Sequence, residues 1–302
     1  MNALVGNTGF VGSNLCASAH FDAVYHSSNI ETAYGTAPDF LIYAGLRAEK
    51  YLANQDPEKD LGLIRQAEIN IEKIRPKKLV LISTVDVFKE PRKVDENTEV
   101  DTEGLPPYGY NRYVLECWVR SNYPDALIVR LPGLFGIHLK KNFIYDYMNV
   151  IPAMLRADKF NELVCQDPSL RLYYRLQNNG FYKAEVPEDE KPLLKEKFHA
   201  LHFSALNFTD SRSLYQFYPL ARLWDDIGTV LKEGIGLWHP ATEPVSAGEL
   251  YRFLSGSDFH NELNGTPAYY DYRTVYDSLF AGRNGYIMEK DEVLKDIKRF
   301  VK

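Results

Sequence analysis

The sequence predicts an α/β protein built on a doubly wound parallel sheet, with a smaller and partly helical second portion, and three observations carry that reading. Short apolar runs alternate with segments of helical period. The strongest run, residues 78–83 (KLVLIS), is apolar almost throughout, as a strand buried on both faces must be. A glycine-rich turn separates the first apolar run from the first helical segment.

Taken in order, residues 1–5 are a short buried strand, and the turn that follows opens a helix with Val11, Leu15 and Ala19 on one side. A second strand is expected over 23–27. The next apolar run, 40–44, follows after only about a dozen residues, too few for a full crossover helix and a further strand, so this end of the sheet is expected to be abbreviated. Asp56 as N-cap and Pro57 at the first helical position begin a helix through Leu61, Ile64, Ala67, Ile71 and Ile74 that ends before Pro76. A helix over about 108–121 and a strand over 126–131 continue the alternation. Beyond Gly136 the pattern changes: a helix is expected over 142–155, a tyrosine-containing stretch over 171–183 and a helix near 193–203. The α/β pattern then returns with 216–218, a helix over 220–231 and a strand over 235–239, and a last helix spans 291–301. These changes divide the chain into a nucleotide-binding portion, 1–136 with about 213–241, and a substrate portion, about 137–212 with 242–302.

Composition narrows the function classes. The 302 residues include 35 Lys and Arg against 41 Asp and Glu, a formal charge of −6, which gives no support for nucleic-acid or anionic-membrane binding. No apolar stretch reaches the length of a membrane helix, and the run Ala3-Leu4-Val5 stops at Gly6, too soon for a secretory leader. Cys16, Cys117 and Cys165 lie far apart with no CxxC pair, which fits a reducing compartment, and a cytoplasmic location is expected. His199 and His202 lack a third partner of suitable spacing, so no metal is expected.

Two constellations carry chemistry. Gly6, Gly9 and Gly12, with Thr8, Phe10 and Val11 among them, have the spacing of a turn that brings backbone close to a pyrophosphate at a helix N-terminus. Thr84 lies at the end of the apolar strand, where a doubly wound sheet presents its ligands. Tyr108 and Arg112 are four apart, so one helix face carries both, and a guanidinium beside a phenol favours the phenolate.

With Gly6-x-x-Gly9-x-x-Gly12, Ser83-Thr84-Val85-Asp86-Val87-Phe88, Tyr108-Gly109-Tyr110-Asn111-Arg112 and Arg130-Leu131-Pro132-Gly133-Leu134-Phe135-Gly136 in this order, the chain resembles the extended short-chain dehydrogenases/reductases. These are the NAD(P)-dependent, nucleotide-sugar-modifying epimerases, dehydratases and reductases. The resemblance covers most of the chain and implies a Rossmann-type sheet. It assigns Tyr108 as general acid or base and Thr84 as the hydrogen-bonding partner of the same substrate oxygen. Arg112 stands where the family has the lysine that holds the nicotinamide ribose and lowers the tyrosine pKa. Arginine keeps the charge but cannot release a proton.

Further departures narrow the chemistry. Val85-Asp86 replaces the Asp-Glu pair of the family's dehydratases, and Gly133 replaces an asparagine of many epimerases, which favours a ketone reductase. Ser27, Ser28 and Asn29 at the end of the second strand include no carboxylate for a ribose 2′-hydroxyl, so NADP is expected over NAD. Ala44 and Gly45 resemble the family's segment along the cofactor, and Arg47 supplies a cation for a 2′-phosphate. Asp86, Lys140, Asn142 and Arg156 are the substrate-binding candidates, the cations facing a diphosphate. The expected partner is a nucleotide sugar, and a homodimer is compatible with the resemblance. The alternatives are an epimerase that retains its cofactor and a catalytically weak cofactor-binding protein.

Overall fold

The computed structural model describes residues 1–302. The first half runs β1 (Asn2–Val5), α1 (Phe10–Ser18), β2 (Ala23–Tyr25), β3 (Phe40–Tyr43), α2 (Lys50–Gln55), α3 (Pro57–Ile74), β4 (Leu79–Thr84), α4 (Pro107–Asn122), β5 (Leu127–Leu131) and β6 (Gly133–Phe135). There follow α5 (Phe143–Asn149), β7 (Met154–Arg156), α6 (Ala157–Gln166), β8 (Tyr174–Leu176), β9 (Phe181–Ala184) and α7 (Lys191–Ala200). The chain closes with β10 (Leu214–Tyr215), β11 (Phe217–Pro219), α8 (Leu223–Lys232), β12 (Leu237–Trp238), β13 (Val245–Ser246), α9 (Ala247–Ser255) and α10 (Lys290–Phe300).

Two compact units result. The first comprises Met1–Leu139, Leu214–Val245 and Tyr269–Phe300. Its sheet has six parallel strands in the order β12-β5-β4-β3-β1-β2. This is the doubly wound arrangement: the chain passes from β1 outward to β2, then returns to the other side of β1 for β3. Only β2 lies on the first side, and a single 3₁₀ turn, Ile30–Ala33, fills the connection to β3. The abbreviated edge follows from that short connection.

α3 shows how the sequence makes these elements. Asp56 Oδ1 accepts from the Lys59 N–H at 3.1 Å, Pro57 needs no N–H partner, and Ile64, Ala67, Ile71 and Ile74 form the buried stripe. They pack with Ala3, Val5, Leu41, Leu79 and Leu81 of the sheet. Burial of each large side chain there contributes roughly 1.5–3 kcal/mol. The helix stops where Arg75 turns left-handed at φ 57°.

Tyr269–Phe300 belongs to the first unit, although sequence placed it in the substrate portion. The reason is a buried amide: Gln216 Nε2 donates to the Thr242 and Tyr272 carbonyls at 2.6 and 2.8 Å, and its Oε1 accepts from the Tyr272 N–H at 2.9 Å.

The second unit comprises Lys140–Ser213, Ser246–Ala268 and the last two residues. The helix expected over 142–155 is only α5. Val150 takes a left-handed φ of 64°, Pro152 follows, and the chain continues into β7. The tyrosine-containing stretch is the β8–β9 hairpin, turning at Gly180 (φ 80°), with β7 antiparallel on the other side of β9. Leu155, Phe160, Leu163, Tyr174, Leu194 and Phe198 fill this unit's core.

Candidate active site

The turn between β1 and α1 is closer than side chains would allow. Gly6 has φ 97°, and a Cβ there would lie 2.3 Å from the Ala44 oxygen; a Cβ on Gly12 would lie 2.1 Å from the Gly6 oxygen. The same approach sets Ala44, at the end of β3, against the turn. Gly9 is the N-cap of α1 and brings no side chain, so no side chain satisfies the helix's first N–H groups. Asn7 Oδ1 is buried beside them without a hydrogen-bond partner. A glycine cradle and an uncapped helix N-terminus together fit the pyrophosphate of a dinucleotide, whereas the Asn7 amide oxygen, an acceptor, suits a hydroxyl donor and not a phosphate. Thr8 is exposed, and Phe10 and Val11 open the helix. Asn14, one turn on, bonds Ile137 in both directions, N–H to Oδ1 at 3.0 Å and Nδ2 to carbonyl at 2.9 Å, which ties α1 to the loop after β6.

Beyond β2, Asn29 Oδ1 accepts from the His26 N–H at 2.7 Å and Ser28 Oγ contacts His26 Nδ1 at 2.9 Å. The two side chains thus shape their own loop, with Ser27 preceding them in sequence. Arg47 is exposed, and its carbonyl accepts from Arg112.

The second cluster gathers at the C-terminal end of β4. Thr84 is the strand's last residue, and its Oγ1 accepts from the Asp86 N–H at 3.2 Å. Val85 and Val87 are buried with Phe88, Ala241 and Tyr272, which fixes the intervening turn. α4 begins against that turn, and a Cβ on Gly109 would lie 2.0 Å from the Asp86 oxygen. Tyr108, the residue before Gly109 in the first turn of α4, is therefore held at the Asp86 turn that follows Thr84. Its N–H donates to Asn54 Oδ1 at 2.9 Å.

The Tyr108 phenol is buried, and burial raises its pKa above the ordinary tyrosine value. Arg112 and Lys50 pull it down; the Asp86 and Asp60 charges push it up again. Arg112 lies one turn along α4 with its guanidinium 3.9 Å from the centre of the Tyr108 ring. The sequence suggests that it reaches a ribose. In the structure it is buried, donating to Asp60 Oδ2, and at 2.8 Å to the Arg47 carbonyl. Asp60 also accepts from Asn111 Nδ2 at 2.8 Å.

Sequence reasoning missed Lys50, Asn54, Asp60 and Tyr270. Lys50 Nζ donates to Asp86 Oδ1 at 2.9 Å, and the Tyr270 hydroxyl donates to the same oxygen at 3.1 Å. A signal existed for three of them: Lys50 and Asn54 are four apart, and Asp60 is one turn beyond the N-cap Asp56. Their partners lie tens of residues away in sequence, so spacing alone could not supply them.

The remaining substrate candidates lie in the second unit. Asn142 caps α5 by accepting from the Tyr145 N–H at 3.1 Å, Arg156 pairs at the surface with Asp158 at 3.4 Å, and Lys140 is exposed. No group of three or more His, Cys, Asp or Glu side chains is arranged to hold a metal ion. No helix is long and apolar enough to cross a membrane.

No family model matches the chain, and no curated protein sequence does. Solved structures do. The Bordetella bronchiseptica enzyme WbmG, in complex with NAD and UDP, is 11% identical, with a TM-score of 0.64 over 99% of this chain and 92% of that one. A dTDP-4-dehydrorhamnose reductase from Bacillus anthracis, in complex with NADP, is 16% identical, with a TM-score of 0.61 over 99% and 98%. A UDP-N-acetylglucosamine 4-epimerase from Methanobrevibacter ruminantium is 12% identical, with a TM-score of 0.63 over 99% and 96%. At these identities the likeness establishes the fold: this chain has the Rossmann-type α/β architecture of nucleotide-sugar reductases and epimerases along nearly its whole length.

Proposed function

We propose that the protein is an NAD(P)-dependent oxidoreductase that reduces a ketone on a sugar nucleotide or related activated carbohydrate. One observation carries the reading: the glycine cradle at the C-terminal end of β1, Thr84 at the C-terminal end of β4 on the far side of β3, and Tyr108 in the helix that packs on the turn after Thr84 all belong to one compact unit. Structures of the same fold were solved with NADP, and with NAD and UDP, which supports the cofactor and substrate class.

A bound dinucleotide would rest its pyrophosphate on the N-terminus of α1, against Gly6, Gly9 and Gly12, and would supply hydride to the substrate carbon. The chain supplies the proton. Burial keeps Tyr108 protonated at neutral pH, which suits a donor, and Thr84 at the strand end orients the oxygen that receives the proton. Arg112 supports the donor through its charge, its ring contact and its hold on Asp60. Asp86, Lys140, Asn142 and Arg156 remain the proposed substrate contacts, and Ser27, Ser28, Asn29 and Arg47 favour NADP over NAD.

The test is Tyr108→Phe, assayed with NADPH and a dTDP-4-keto-6-deoxyhexose. Loss of one proton donor of this kind costs about 10²–10⁴-fold in turnover. Turnover is expected to fall by at least the lower figure while the NADPH dissociation constant changes by less than about threefold, since the phosphate site is untouched. A mutant as active as the parent would remove Tyr108 from the chemistry.

A further inference from the structure

The cluster around Tyr108 contains a cation with more freedom than Arg112. Arg112 is 3% exposed and committed to the buried Asp60 and the Arg47 carbonyl. Its charge is thus a fixed, paired feature of the α3–α4 packing. Lys50 is different. Its side chain is 48% exposed, it comes from α2, and its ammonium sits on Asp86, in the turn that Gly109 packs against directly.

α2 is aimed at this place by two side chains one turn apart. Asn54 receives the Tyr108 N–H, and Lys50, four residues earlier on the same face, reaches the Asp86 carboxylate that also holds the Tyr270 hydroxyl. Burial lowers the Lys50 pKa, and Asp86 with Tyr270 more than restores it, so the ammonium stays charged.

We propose that Lys50 is a positioning residue for the acid: held by Asp86 and Tyr270, its ammonium offsets the Asp86 carboxylate at the turn against which α4 packs and so tunes the Tyr108 phenol. The inference deepens the reading of Tyr108 as proton donor and rests on it for its functional meaning, but the coupling is measurable without substrate or cofactor. Removing Lys50 leaves Asp86 uncompensated next to the phenol, so both changes oppose the phenolate. Removing the Asp86 charge acts in the opposite sense.

The experiment is fluorine NMR of the full chain labelled with 3-fluorotyrosine, whose lower phenol pKa brings the midpoint further into the folded range. The Tyr108 signal is identified by its loss in Tyr108→Phe. Lys50→Met is expected to raise the Tyr108 midpoint by about one pH unit, tenfold in acidity, Lys50→Arg to leave it near the parent's, and Asp86→Asn to lower it. Lys50→Gln repeats the measurement with a polar, uncharged side chain, in case Met disturbs α2. A midpoint unchanged in both Lys50→Met and Lys50→Gln, with near-UV circular dichroism intact, would overturn the proposal. NADPH titration of the same samples separates the two ideas: absent binding with a shifted midpoint would leave the coupling standing and remove the oxidoreductase reading.

Discussion

Arg112 makes plain what residue-level reasoning reaches and where it stops. Helical spacing places it beside Tyr108, and the structure has it there, stacked 3.9 Å from the ring. Spacing could not disclose Asp60, because that contact joins two helices 52 positions apart. Removing one partner of a buried ion pair leaves the other desolvated and unpaired, at about 3–5 kcal/mol. Arg112→Leu is therefore expected to lower unfolding stability by that amount in urea titrations, with Arg112→Lys intermediate; a loss under about 1 kcal/mol would show the pair to be dispensable. Asp146 in α5 offers a pH-dependent counterpart. Burial pushes its carboxyl up to about 7, whereas the unfolded chain ionises near 3.8. A raised carboxyl pKa gives stability that is whole below the unfolded value and is lost as pH rises toward 7. Asp146→Asn should then stabilise the protein by about 2 kcal/mol at pH 8, with the advantage shrinking as pH falls below 7 and gone near pH 4. Calorimetric melting at both pH values checks the sign, and an Asn variant less stable at pH 8 would contradict it.

Among the elements, those of continuous pattern were legible. KLVLIS lies in β4 from its second residue, the strand running one residue further to Thr84, the Asp56-Pro57 start of α3 stands where its capping chemistry puts it, and the short link to β3 does leave one strand outside β1. The misjudged elements lie where local pattern yields to tertiary contact. Residues 142–155 keep an apolar helical rhythm, yet Val150 turns left-handed and β7 pairs with β9. β8 and β9 are three and four residues long, too short for alternation to show. α2, six residues with no buried stripe, left only the four-residue spacing of Lys50 and Asn54 as a signal, and it delivers both. In α4 the decisive position is Gly109, whose backbone meets the Asp86 carbonyl. Gly109→Ala, favourable for an isolated helix, should here lower stability by about 1–3 kcal/mol through the forced displacement and reduce turnover by shifting Tyr108 relative to Thr84. An Ala variant of parental stability and activity would show that the contact relaxes at no cost.

At the scale of the whole molecule, a sheet order with a switch point between β1 and β3, a glycine turn at that point, Thr84 at the end of the next strand and Tyr108 at the start of α4 all lie in one unit formed from three chain segments. The sequence disclosed the order of these parts because each motif is local. It did not disclose that Tyr269–Phe300 joins the same unit and brings Tyr270 to Asp86, since Gln216 makes that attachment through hydrogen bonds 26 and 56 positions away. The central claim is that this unit holds a nicotinamide dinucleotide at the turn, and calorimetric titration of the intact protein with NADPH and NADH tests it most directly. The account predicts one NADPH per chain with a dissociation constant of about 10 µM or below, and weaker NADH binding. No binding of either dinucleotide at millimolar concentration would contradict it.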